Sequence, residues 1–258
     1  MSFIVLTGGA GVIGTALRER LPSRGWTVRP FDRVPTPDGV VGDTMSPADL
    51  DAALAGADAV VHLAAQRTEA PWSVIRESNI EGTFQVFEAA RRAGVARVVY
   101  ASSVHAVGFT PIGADQPADL PPRPDTLYGV SKVVGEALGR YYADRYGMRV
   151  ACLRIGAFED RPSFAGSLAI WLSPDDCARL VDACLRAPAL EYAIVWGISN
   201  NTRRTVSLDA GRALGYEPRD DAEAYAADVD QAPHPSDAFL GAGFTSAGFG
   251  IDEVAARW

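Results

Sequence analysis

Tyr128 and Lys132 stand four residues apart at the start of a run that reads as a helix, so both side chains project from one face. A phenol with a pKa of about 10 is a poor base at neutral pH unless a cation is held beside it. Lys132 supplies that cation, and the pair then suits removal of a proton from a substrate hydroxyl during hydride transfer. A Tyr-x-x-x-Lys pair is also an ordinary surface pair, so its value depends on what precedes it. Ser102 and Ser103 follow a strand ending at Ala101, at the carboxyl edge where open α/β sheets bind ligands. A hydroxyl there can bond the substrate oxygen and fix it for Tyr128. One of two neighbouring serines must face away, and Ser103 is preferred to Ser102.

A second set lies at the N-terminus. Gly8, Gly11 and Gly14 fall between a buried strand and a helix, in the order Thr7-Gly8-Gly9-Ala10-Gly11-Val12-Ile13-Gly14. Such spacing permits a tight turn, close approach of the backbone to a pyrophosphate, and close helix–sheet packing. The helix start at Val12 and Ile13 presents free N–H groups and a positive dipole end to the phosphates. Asp32, at the end of the next strand, can accept from an adenosine ribose and repel a 2′-phosphate, which favours NAD over NADP; Arg33 beside it is the residue that would tolerate such a phosphate. Asp43 is placed to take the adenine amino group or else to serve as an exposed turn residue. Leu63-Ala64-Ala65 suits close passage of the cofactor or ordinary packing. Asn79 is counted with the cofactor-binding residues, its other reading being that it holds a structural water or bonds the helix backbone rather than contacting a ligand.

These residues require a frame. Apolar runs at Phe3–Leu6, Thr27–Phe31, Ala59–Leu63, Arg97–Ala101 and Arg149–Arg154 predict strands, and helices are predicted between them over about 12–21, 47–55, 72–92 and 127–146. Ser46 caps the second helix and Gly94 ends the third. The alternation predicts an α/β fold: a doubly wound parallel sheet of Rossmann type over residues 1–154. Residues 155–258 are expected to form a small substrate lobe interleaved with the last strands, with a helix at 174–186, a strand at 192–196 and a helix near 208–214. The tail from Pro233 to Trp258 carries little signal.

Composition narrows the function classes. The 258 residues are 48% apolar and 22% charged, as in ordinary globular proteins. A formal charge of −8, from 32 acidic against 24 basic residues, argues against nucleic acid as a partner. The start Met1–Gly8 lacks a basic region before its apolar run, so no signal peptide or membrane anchor is expected and a cytoplasmic location is. Cys152, Cys177 and Cys184 are widely spaced among apolar neighbours, which predicts reduced core residues and no metal site.

Taken together, the glycine loop, Asp32, Asn79, Ser103 and Tyr128-Gly129-Val130-Ser131-Lys132 resemble the extended short-chain dehydrogenases, which include NAD-dependent sugar epimerases, dehydratases and dehydrogenases. Within that group the chain looks most like the bacterial uronate dehydrogenases. The strings that carry this are His62-Leu63, Glu69-Ala70-Pro71, Ser78–Thr83, Ala101–Gly108, Arg123–Gly129, Arg154-Ile155-Gly156, Trp171–Asp176, Val195-Trp196-Gly197 and Leu214–Pro218. The resemblance implies oxidation of C1 of free glucuronate or galacturonate to a lactone with NAD, Tyr128 taking the hydroxyl proton and Ser103 and His105 bonding the sugar; a loop histidine satisfied by backbone is the plain alternative for His105. It also implies a homo-oligomer paired through the Tyr128 helix and the long helix before it; Val133, Val134, Ala137, Leu138 and Tyr141 form an apolar face that suits such pairing or packing inside a monomer equally well.

Two positions depart from that pattern. An asparagine of the family is replaced by Val104 at the substrate site, and its carboxylate-binding arginine falls at Gly166. Arg67 and Arg161 lie in loops that could supply the missing cation. The short region after Arg154 suits a small free substrate better than a nucleotide-sugar. The alternatives are another NAD-dependent epimerisation or reduction of a small sugar or carbonyl, and a non-catalytic dinucleotide sensor, which would not need serine, tyrosine and lysine together.

Overall fold

Alternating side chains along each central strand dictate how the sheet is covered. In the computed structural model, which describes residues 2–230 and 238–258, Ile4 and Leu6 in β1 (Ser2–Thr7) face one layer while Val5 faces the other. Val61 against Val60 in β4 (Ala59–His62), Val99 against Val98 in β5 (Arg97–Ser103) and Leu153 against Cys152 in β6 (Arg149–Ile155) repeat the division. One layer is completed by α1 (Val12–Arg20) and α7 (Pro174–Arg186). The other holds α2 (Pro47–Leu54), α4 (Gly82–Arg92) and α5 (Leu127–Tyr146). Strands buried on both faces are what near-continuous apolar runs specify.

With β2 (Trp26–Asp32), β3 (Val40–Val41) and β9 (Tyr192–Gly197), these strands make one seven-stranded sheet in the order β3-β2-β1-β4-β5-β6-β9, every neighbour parallel. This is the doubly wound arrangement expected, and the order reverses between β1 and β4, where such sheets open a ligand crevice. The segment after Arg154 supplies β9 as well as a two-stranded sheet of β7 (Ala157–Phe158) and β8 (Trp171–Leu172), the short helices α6 (Ser167–Ile170) and α8 (Asp209–Ala213), and the terminal α9 (Ile251–Ala255). Residues 231–237, where the weakly patterned tail begins, lie outside the described residues.

The helix expected over 72–92 is interrupted. It runs as α3 (Trp72–Ile75), a π turn at Arg76–Glu81 and then α4. The wider turn swings Asn79 inward, where its amide accepts from the Gln66 N–H at 2.7 Å and donates to Gln66 O and to Ser131 Oγ, both at 3.0 Å. All three cysteines are free and buried. Val133, Val134, Ala137 and Tyr141 leave the outer face of α5 partly exposed, whereas Leu138 packs against the core.

Candidate active site

Along the carboxyl ends of the strands runs a cleft of about 840 Å³. Its wall at one end is the glycine loop. Gly8 has φ +73°, and a Cβ there would stand 2.7 Å from the Ala64 backbone N; a Cβ at Gly14 would stand 2.2 Å from Gly8 O. Only glycine lets β1, β4 and α1 meet this closely. No side chain caps α1 at Gly11, so the first-turn amides of Val12 and Ile13 open on the cleft, the arrangement that receives a phosphate. Asp32 is pinned at the same wall: its carboxylate accepts from the Ala10 and Val34 N–H groups, each at 3.0 Å. Its remaining lone pairs face the cleft beside the exposed Arg33. Asp43 also lines the rim, accepting from the Met45 N–H at 2.9 Å in a turn that leads to the Ser46 cap, while Leu63, Ala64 and Ala65 form the floor. These residues fit a dinucleotide.

At the other end the cleft is lined by Ser103, Tyr128 and Lys132. Thr126 caps α5 by accepting from the Gly129 N–H at 2.9 Å, and the buried Glu69 carboxylate accepts from the N–H groups of Leu127 and Tyr128, at 3.1 and 2.7 Å. The helix start is therefore held on two sides, and desolvation raises the Glu69 pKa despite those donors. Lys132 Nζ donates to Ala101 O at 2.8 Å and lies 5.3 Å from the ring centres of both Tyr128 and Tyr100. Burial lowers the Lys132 pKa to about 8 against the pull of Glu136. Burial likewise pushes the Tyr128 phenol up to about 12, opposed by its hydrogen bond with Ser103. Both charged forms are thus costly here, and each is stabilised by the other or by a ligand's charge.

Ser102 turns the opposite way. Its hydroxyl donates to Glu136 Oε1 at 2.6 Å, inside a buried ion pair in which Arg154 Nη2 reaches Glu136 Oε2 at 2.8 Å. Behind the floor, the His62 ring is bracketed by the hydroxyls of Thr7 at 2.7 Å and Thr83 at 3.0 Å. Burial, helped by nearby Lys132, lowers its pKa to about 3 and keeps it neutral.

Several expectations are corrected by this geometry. Asn79 does not line the cleft; every polar group of its amide is used to tie the 63–66 loop to α5, because the π turn draws it inward. Val104 packs into the core beside Ile155 and offers no surface to a ligand. His105 is outside the cleft lining, and a carboxylate rather than backbone satisfies it: Nδ1 donates to Asp125 at 2.8 Å, with the ring edge-on to Tyr128 and stacked on Phe244 at 4.1 Å. Arg161 is also outside the lining, its guanidinium lying over the Tyr225 ring at 5.5 Å. Gly166 sits at the N-cap of α6, and Arg67 lines the cleft. Glu69 and Asp125 stand in the strings that carry the resemblance but receive no role from the sequence, where an acid two residues before a proline and an acid before a capping threonine are faint signals, and Phe244 gives none.

Residues 4–159 match the family described as NAD dependent epimerase/dehydratase family. The chain belongs to that family. Among its relatives is a uronate dehydrogenase of Agrobacterium fabrum (strain C58 / ATCC 33970), 37% identical over 93% of this chain and 94% of that protein. Another is an L-arabinose 1-dehydrogenase (NAD(P)(+)) of Haloferax volcanii, 40% identical over 85% of this chain and 97% of that protein. A mutant of uronate dehydrogenase from Agrobacterium tumefaciens complexed with NAD superposes with a TM-score of 0.89 at 35% identity, covering 95% of this chain and 97% of that one.

Proposed function

We propose that this chain is an NAD-dependent dehydrogenase that oxidises C1 of a free uronate such as glucuronate or galacturonate to its lactone. The observation that carries the reading is the convergence of Ser103, Tyr128 and Lys132 at one end of the cleft whose other end is the uncapped α1 amides and Asp32. The naming of relatives at 37% identity as uronate dehydrogenases supports the substrate class. Bound NAD supplies a positively charged hydride acceptor. Gly8, Gly11 and Gly14 with the Val12 and Ile13 amides hold its pyrophosphate, and Asp32 holds its ribose. Ser103 donates to the C1 oxygen and fixes it against Tyr128. Lys132 keeps the phenolate in reach of neutral pH, and Tyr128 takes the hydroxyl proton as the C1–H bond breaks and its electron pair departs with the hydrogen. The C1–O bond becomes the lactone carbonyl. Residues 155–258 act as the substrate lobe.

Oxidation of a neutral aldose is the second reading, favoured by the burial of Val104 and by a glycine at position 166, which remove polar heads from the sugar site. Absorbance of NADH with glucuronate, galacturonate, arabinose and galactose, and with NADP in place of NAD, separates the two. Faster turnover of the uronates with NAD is expected; turnover of neutral sugars alone would overturn the uronate assignment.

A further inference from the structure

A sugar acid presents a carboxylate at the end remote from C1, and a site that prefers it needs an unspent cation within the same cleft. Among the described residues three cationic side chains line this one: Arg33, Arg67 and Lys132. Arg33 follows Asp32 at the ribose end, at the far side of the glycine loop from Tyr128. Lys132 is buried, committed to Ala101 O and to the Tyr128 ring. Arg67 is exposed to the cleft and, among the described residues, forms no hydrogen bond or ion pair. Arg161, the other loop arginine of suitable sequence position, is outside the lining and stacked on Tyr225.

The backbone that carries Arg67 is fixed to the catalytic helix on both sides. Just before it, Gln66 is held through N–H and C=O by Asn79, which also bonds Ser131, itself donating to Tyr128 O at 2.6 Å. Two residues after it, Glu69 accepts from the N–H groups of Leu127 and Tyr128. The Cα of Arg67 is thereby placed at a set position relative to the Tyr128 helix start, while its exposed guanidinium is held by no hydrogen bond or ion pair among the described residues. A planar fork on such an anchored base matches a carboxylate bidentately.

We infer that Arg67 binds the substrate carboxylate, so that the charge-recognising residue of this chain sits on the β4 loop and not in the segment around Gly166. The inference rests on the uronate reading above and names the residue that would carry its specificity. Among the described residues Arg67 forms no hydrogen bond, ion pair or ring contact, so its replacement is expected to leave the fold and NADH binding unchanged.

The test compares kcat/KM for glucuronate and galactose in the wild type, Arg67→Gln, Arg67→Lys and Arg161→Gln, with NADH binding followed by fluorescence. In Arg67→Gln, kcat/KM for glucuronate falls by about 100-fold, chiefly through KM, while the galactose value changes by less than about threefold. Arg67→Lys recovers part of the loss, because charge returns without the fork. Arg161→Gln behaves as wild type. A wild type that prefers glucuronate, with that preference intact in Arg67→Gln, would overturn the inference and leave the uronate reading standing. A wild type with no preference for glucuronate over galactose would overturn both.

Discussion

Lys132 is the residue through which the other functional side chains communicate. It lies equidistant from the Tyr128 and Tyr100 rings, donates to the strand end at Ala101, depresses His62 and is itself supported by Glu136. Tyr128 is held up at about 12 by burial, so a base at neutral pH requires the ammonium to remain charged beside it. Removing that charge raises the phenol pKa further and moves the rise of activity to higher pH. In Lys132→Met the acid limb of the kcat/KM profile is expected to shift upward by at least about one pH unit, with a large loss of rate at pH 7. In the wild type the alkaline side falls as pH passes about 8, where Lys132 gives up its proton. Both limbs are read from initial rates across a buffer series; an unmoved acid limb in the variant would contradict the electrostatic role. Spacing puts Tyr128 and Lys132 on one helix face, but their reading as a working pair needs the serines at the preceding strand end. Strand alternation requires that one of Ser102 and Ser103 faces away from the ligand side but does not say which, and the structure turns Ser102 toward Glu136.

At the scale of elements, the join of β1, the glycine loop and α1 decides whether a dinucleotide can bind. The Cβ that alanine would add at Gly14 lands 2.2 Å from Gly8 O and 2.9 Å from the Gly9 backbone, neither of which can yield without moving α1 off the sheet. Gly14→Ala is therefore expected to weaken NADH binding by more than about tenfold and to lower the thermal midpoint by several degrees, checked by fluorescence titration and melting. Unchanged binding would show that α1 does not dock as described. The strand and helix succession was readable because each element carries its own period and its own stop signal, as with Ser46 before α2 and Gly94 after α4. The π turn was not readable. Insertion of one residue turns the apolar phase by about 100°, but the four residues of α3 are too few to show the shift, and the reason for it, the bond network from Asn79 to Gln66 and Ser131, spans residues 52 apart. The same blindness to distance left Arg67 and Arg161 equivalent in sequence although the fold puts only Arg67 on the cleft.

Across the whole molecule, buried polar groups stitch the sheet to the segment that follows it. Arg154, fully buried, bonds Glu136 with two nitrogens and donates to the carbonyls of Ala118 and Leu120, fixing α5, β6 and the loop leading to α5 in one arrangement. Loss of one partner of such a pair leaves an uncompensated charge, so these residues hold the site's shape without touching it. Farther along, Leu240 and Gly241 bond back to Thr110 and Gly108, and Phe244 reaches His105. The order of the sheet brings these distant pieces to the carboxyl edge beside Tyr128. The central claim is that this assembly removes a proton through Tyr128 while hydride leaves C1 for NAD. Its most direct test is NADH formation from glucuronate or galacturonate by the wild type and Tyr128→Phe at equal NADH affinity. The account predicts turnover in the wild type and a loss of about 100-fold or more in the variant; equal rates in the two proteins would contradict it.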